Sequence, residues 1–170
     1  MKLLYSINSP YARRVRIAIR KAGLMDAVEE INIREREEPL ETLLAHGVAG
    51  KVPVLVTSAG ASLCESILIT RYLDEMSDGK LLPSEASARE RALEFDAAAS
   101  ALQDSHFVRS REKRRVAHET SESVIDLEAE RARRLLDFAG NHCSTQSRAS
   151  RRRHHVRLRA GLFGLETSGR

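Results

Sequence analysis

No apolar run in this chain approaches the roughly 20 consecutive residues that a helix needs to cross a bilayer, which excludes an apolar membrane-spanning helix. Two cysteines, Cys64 and Cys143, are too few for a disulfide framework. The opening Lys2-Leu3-Leu4-Tyr5 is too short an apolar stretch for a secretory leader, and polar residues follow at once, so the expected compartment is the cytoplasm. Nor does the body of the chain carry an excess of positive charge. The net charge is +4, but residues 141–170 hold seven arginines against the single acid Glu166, which leaves residues 1–140 at −2. Nucleic-acid binding therefore cannot be argued for residues 1–140.

What is present is a regular succession of short elements. Lys2 to Tyr5 reads as a strand. Ser9 is a favourable N-cap and Pro10 suits the first helical position. Val15, Ala18, Ile19 and Ala22 then recur at helical spacing up to Gly23, which stops the helix. Val28 to Ile33 alternates like a half-buried strand, and Pro39 to His46 suggests a short helix closed by Gly47. Val52 to Val56 reads as a strand that turns back through Ser58-Ala59-Gly60-Ala61 to Leu63 and Cys64. From Ser66, the residues Ile69, Tyr72, Leu73 and Met76 mark a further helical stripe. The order β-α-β-α then β-β-α in about 80 residues predicts a small α/β sandwich of the thioredoxin kind. Leu81-Leu82-Pro83 reads as a linker. Beyond it, Ala86 to about Arg115 and Ser121 to about Ala139 lack glycine and proline and predict two long helices. Leu93, Ala97, Ser100, Ala101 and Asp104 supply a small-residue face on the first. Ile125, Ala129, Ala132, Leu135, Leu136 and Phe138 supply the apolar face of the second. The expected division is an α/β domain over 1–80, a partial all-helical domain over 81–140 and a disordered basic tail over 141–170.

Three short motifs fall at the ends of these elements: Ser9-Pro10-Tyr11, Lys51-Val52-Pro53-Val54-Leu55 and Cys64-Glu65-Ser66-Ile67. Each alone has a structural reading. Ser9 and Ser66 can be helix caps, Val52-Pro53 an ordinary strand entry, and Cys64 core packing. In this order and at this spacing they resemble the glutathione-binding half of bacterial glutathione S-transferases, a family with a thioredoxin-like domain followed by an all-helical one. The resemblance implies that Ser9 faces the glutathione sulfur and donates a hydrogen bond to its thiolate. It implies a cis bond between Val52 and Pro53, with Val52 pairing its backbone to the glutathione cysteine and Lys51 beside it. Glu65 and Ser66 would hold the γ-glutamyl end. The physical need is plain: a thiol with pKa near about 8.5 must be pushed toward thiolate, and a hydroxyl donor and a helix N-terminus both favour the anion. Ser9 thus stabilises the nucleophile rather than being one. Ser9 stands where thioredoxins place a redox cysteine, and Ala12 offers no second thiol, which argues against dithiol exchange. Glutathione enters as co-substrate, a small electrophile as the other substrate, and Asp104 and Phe107 are candidates for the electrophile's pocket. No metal is expected, and a homodimer is compatible with the family.

Beyond Phe138 the resemblance stops. Residues 141–170 show no sustained helical period. Arg151 to Arg153, Arg157 and Arg159 raise a nucleic-acid arm as a further reading, and His154-His155 a metal site. No aromatics interleave with the arginines, and adjacent histidines point apart in regular structure. Arg153 to Arg170 can be back-translated with codons whose one-base shift reads Asp-Ile-Thr-Phe-Ala-Cys-Ala-Leu-Gly-Tyr-Leu-Asp-Trp-Arg-Arg-Leu-Ala, very like the helix that relatives have next. This favours a frameshift near residues 136–150, with a helical domain left incomplete. A non-catalytic glutathione-binding module, or a decayed transferase, is therefore the alternative to an active enzyme.

Overall fold

The computed structural model describes residues 1–33 and 40–141. Two compact units divide the chain, Met1–Ala92 and Leu93–Arg170.

The first unit is built on a four-stranded sheet in the order β2-β1-β3-β4, with β1 at Lys2–Tyr5, β2 at Glu29–Asn32, β3 at Val54–Val56 and β4 at Ser62–Leu63. β1 and β2 are parallel, whereas β1 with β3 and β3 with β4 are antiparallel. The helices are α1 at Pro10–Ala22, α2 at Leu40–Leu44 and α3 at Ser66–Met76. This is the thioredoxin-like arrangement expected from the order of elements.

Strand periodicity divides the core in two. Leu3 and Leu55 turn to one face, where they pack with Val15, Ala18 and Ile19 of α1, Val28, and Ile69 and Leu73 of α3. Leu4 and Val54 turn to the other, where Ile33 and Leu43 of the α2 side meet them. Full burial of each valine, leucine or isoleucine side chain among them contributes about 1.5–3 kcal/mol. Cys64, the residue after β4, packs against this second cluster as a small apolar group, as its sequence context suggests.

Local signals set the helix ends. α1 ends at Gly23, whose φ of 74° lets its N–H reach Arg20 O while Leu24 N–H returns to Ile19 O. All four apolar positions read from the sequence of α1 are buried. On α3, Ile69 and Leu73 are buried, but Met76 is half-exposed; as the last residue of the helix it stands where the packed face runs out. Asp74, in the same helix, is buried and accepts from Leu81 N–H at 2.7 Å and Leu82 N–H at 3.2 Å, fixing the segment that follows.

α4 spans Ala86–Glu112 and a fifth helix, α5, covers residues 122–141. Within the second unit Ser105 and Ile125 are buried, and so is Glu128, whose carboxylate pairs with Arg131. The face expected on α4 is displaced: Ala97 and Asp104 are exposed, and Ser105 is the buried position. Small residues on all sides of this helix let several faces pack, so spacing alone could not select one. Leu136, expected on the buried face of α5, is exposed. Ser121 N–H donates to Glu112 Oε1 at 2.8 Å across the connection between the two helices. Asn141, assigned from sequence to the tail, is the last helical residue described; Cys143, the arginine cluster, His154-His155 and the proposed frameshifted segment lie outside the described residues.

Candidate functional site

The sheet register brings the three sequence motifs to one end of the first unit. β1 ends at Tyr5, and the turn through Ser6 to Asn8 leads to Ser9. β3 runs against β1 with Leu4 opposite Val54, so Pro53 arrives beside the end of β1. β4 runs against β3 with Leu55 opposite Leu63, which continues to Cys64 beside Val54 and Glu65 beside Pro53. Ser9, Val52-Pro53 and Glu65-Ser66 therefore adjoin strand ends at the same end of the sheet, although 42 residues lie between Ser9 and Val52 in the sequence.

Ser9 is the N-cap of α1, with extended backbone and its Oγ accepting from Ala12 N–H at 3.2 Å. Its own N–H donates to Ser6 O at 3.0 Å, which tightens the turn. A cap hydroxyl accepting through one lone pair still has its proton to donate, so the capping role and the donor role read from the sequence are compatible. The first turn of α1 holds no acidic residue to oppose an anion at its N-terminus.

The Val52–Pro53 bond is cis, as expected. Pro53 is buried and Val52 half-buried, while Lys51 is exposed ahead of them. Glu65 and Ser66 open α3. Glu65 has φ 69° and ψ 113°, a conformation that an L side chain rarely adopts, and its side chain makes no cap hydrogen bond. Strain of this kind persists where the surrounding fold holds it, and it clusters at binding sites. Here it leaves the Glu65 carboxylate exposed next to a buried Ser66. Nothing in the residue types marks that backbone strain; only the φ of Glu65 shows it. A carboxylate, the cis-proline entry to β3 and a capped helix N-terminus thus adjoin the same end of the sheet.

A salt-bridged cluster borders the same helix. Glu30 of β2 accepts from Arg16 Nε at 2.8 Å and from Arg20 Nη1 at 2.6 Å, while the Arg16 guanidinium lies 4.3 Å from the centre of the Tyr5 ring. The hydrogen bond from Arg20, supported by Arg16 and opposed by partial burial, holds the Glu30 carboxyl below its ordinary value. Asp104 and Phe107 lie on α4 in the second unit, both exposed, with the Arg111 guanidinium 5.7 Å from the centre of the Phe107 ring.

The sequence pattern described as Glutathione S-transferase, N-terminal domain, matches residues 8–76, the segment that contains all three motifs. An uncharacterised glutathione S-transferase-like protein of Escherichia coli, YibF, is 33% identical over 143 residues, covering 81% of this chain and 67% of that protein. The chain belongs to the glutathione S-transferase family. Glutathione S-transferase U22 of Arabidopsis thaliana is 36% identical over 86 residues, which cover 49% of this chain and 38% of that protein. Among solved structures, a glutathione S-transferase from Methylobacillus flagellatus with glutathione bound superposes with a TM-score of 0.74 at 30% identity, covering 81% of this chain and 67% of that one. A glutathione transferase family member from Pseudomonas fluorescens, also with glutathione bound, gives 0.70 at 29% identity, covering 80% and 68%. This glutathione S-transferase chain thus spans about two-thirds of the bacterial relatives and less than half of the plant one. Among its described residues no helix is long and apolar enough to cross a membrane.

Proposed function

We propose that this chain binds glutathione along the edge where β1, β3 and β4 deliver Ser9, Val52-Pro53 and Glu65-Ser66, and promotes attack by its thiolate on a small electrophile. The observation that supports the reading is the shared register: Leu4 pairs with Val54 and Leu55 with Leu63, so the chain enters β3 from Pro53 and leaves β4 toward Glu65 at the end of the sheet where β1 finishes. Glu65 pairs with the γ-glutamyl ammonium, and Ser66 with the first N–H groups of α3 receives the neighbouring carboxylate. Val52 offers its backbone to the cysteine of the peptide, and Lys51 contributes a cation alongside. Ser9 donates its hydroxyl proton in a hydrogen bond to the sulfur, and the N-terminus of α1 adds its partial positive charge.

In the reaction the thiol proton passes to solvent. The sulfur lone pair forms a C–S bond to an electrophilic carbon, and the leaving group departs with its electron pair or an activated double bond takes up a proton. Asp104 and Phe107 belong to the proposal as residues that influence which electrophile reacts; D104A and F107A should change relative rates among electrophiles more than they change glutathione affinity. A cytoplasmic, homodimeric detoxification enzyme is the cellular form of the same proposal.

The experiment is a thermal melt of the full chain with and without millimolar glutathione, followed by conjugation of a chromogenic aryl halide. A cooperative melt raised by glutathione supports the site, because a ligand that binds only the folded form stabilises it by mass action. A melt indifferent to glutathione refutes it. A raised melt without conjugation identifies the non-catalytic glutathione-binding module.

A further inference from the structure

We propose that α4 and α5 hold one buried water molecule between Ser105, Arg109 and Glu128, and that this water-bridged contact selects the face of α4 that packs against α5. Ser105 is 1% exposed and Glu128 5%. Ser105 Oγ, Arg109 Nε and Glu128 Oε2 are buried, and none has a hydrogen-bond partner among the described residues. The other carboxylate oxygen, Oε1, already accepts from Arg131. Bare polar atoms are rare in protein interiors, because each has lost its hydration and gained nothing; ordered water is the usual partner where protein atoms do not reach.

Helix register brings the three residues to one level. Ser121 N–H, donating to Glu112 Oε1, ties the end of α4 to the start of α5. Seven residues back along α4 and seven forward along α5, about two turns each, stand Ser105 and Glu128. Arg109 lies one turn from Ser105 toward the connection, on the same face of α4.

The chemistry of the three groups sets the occupant. A guanidinium Nε only donates, a carboxylate oxygen only accepts, and a hydroxyl does both. A cation at this point would meet the Arg109 charge, an anion the Glu128 charge, and an apolar group would leave all three atoms bare. A water accepts from Arg109 Nε–H, donates to Glu128 Oε2 and makes a third bond with Ser105 Oγ, about the usual number for a buried water. Apolar packing leaves the choice of face open, since Ile125 is the one buried apolar side chain among the described residues of the second unit. The bridge is complete only with Ser105 turned to α5, and that orientation leaves Asp104 and Phe107 exposed.

The test is a double-mutant cycle on the full chain, S105A, E128L and S105A/E128L, read by urea unfolding in far-ultraviolet circular dichroism, beside a high-resolution crystal structure of the parent. Each single substitution leaves the remaining groups bare and should raise the unfolding equilibrium constant about tenfold. The double variant should raise it about tenfold as well, rather than about a hundredfold, because the contact is lost only once. Single effects that multiply in the double variant overturn the shared site. In the crystal structure one water should lie within about 3.2 Å of all three atoms. A direct hydrogen bond between Ser105 and Glu128 overturns the water as the bridge, and an α4 packed on α5 by a face without Ser105 overturns the proposal whole. That readout concerns the parent alone, so it decides the matter even where E128L does not fold.

Discussion

Ser9→Ala removes one hydroxyl and separates the structural from the chemical role of the residue. Pro10 has no N–H, and Arg13 N–H is already bonded to Ser9 O, so the donors of the first turn reduce to Tyr11 and Ala12. Ser9 Oγ takes the Ala12 donor at 3.2 Å, and no acidic side chain in that turn can replace it. Losing such a cap costs about 0.5–2 kcal/mol. The distance lies at the long end of the hydrogen-bond range, so about 1 kcal/mol is expected, a fall in melting temperature of about 4–8 °C for a unit of this size. Circular dichroism melts of the parent, S9A and S9D measure it. Aspartate is an equally good cap, so S9D should melt within about 0.5 kcal/mol of the parent. Its carboxylate has no proton to donate and repels a thiolate, so S9D should titrate bound glutathione at higher pH than S9A does. An S9A chain that melts like the parent refutes the capping argument. An S9D chain that keeps the parent's thiol titration refutes the donor role of the hydroxyl.

Three further outcomes follow from the first unit. E65G relieves a positive φ and should raise urea stability by about 1 kcal/mol, while glutathione binding by calorimetry weakens at least tenfold; a mutant both less stable and fully binding contradicts the reading. D74A leaves the N–H groups of Leu81 and Leu82 without their acceptor and should cost about 2–4 kcal/mol in urea unfolding, whereas D74N, which keeps a carbonyl oxygen there, should cost about half as much. Because the folded-state pKa of Glu30 is depressed, its stabilisation is present above the ordinary value of 4.5 and is lost as pH falls from there through the lowered value; melts from neutral to acid pH should show a loss of about 1 kcal/mol in the parent that E30Q lacks.

The first unit was legible because its signals are local and agree with one another. Ser9 and Pro10 start α1, Gly23 stops it, and Val15, Ala18, Ile19 and Ala22 lie at helical spacing between them. The pairing of β3 with β4 follows from two apolar runs around a glycine turn. The strained backbone of Glu65 was not legible, since it arises from joining a two-residue strand to a helix and leaves no mark on composition. Asp74 was passed over because a carboxylate beside Leu73 reads as the polar flank of a stripe, whereas it turns inward to hold Leu81 and Leu82. In the second unit the small residues around α4 gave no single face, so Ser105 was missed in favour of Asp104. Glu128 was missed because it is charged, although it stands one turn after Ile125 on the same face of α5.

The turn between β3 and β4 lies at the opposite end of the sheet from the candidate site, yet it sets the spacing there. Thr57 N–H donates to Ala61 O at 2.8 Å, Thr57 Oγ1 accepts from Ala61 N–H at 3.0 Å, and Gly60, with φ 85°, completes the reversal. Strand pairing transmits that length without slack, since a slip of one residue would turn every later side chain to the other face. The turn thus works as a ruler read from the far end: its residue count decides whether a carboxylate or a thiol stands level with the proline. Lengthening it by one residue would leave every side chain of the candidate site in the chain and put Glu65 out of step with Pro53.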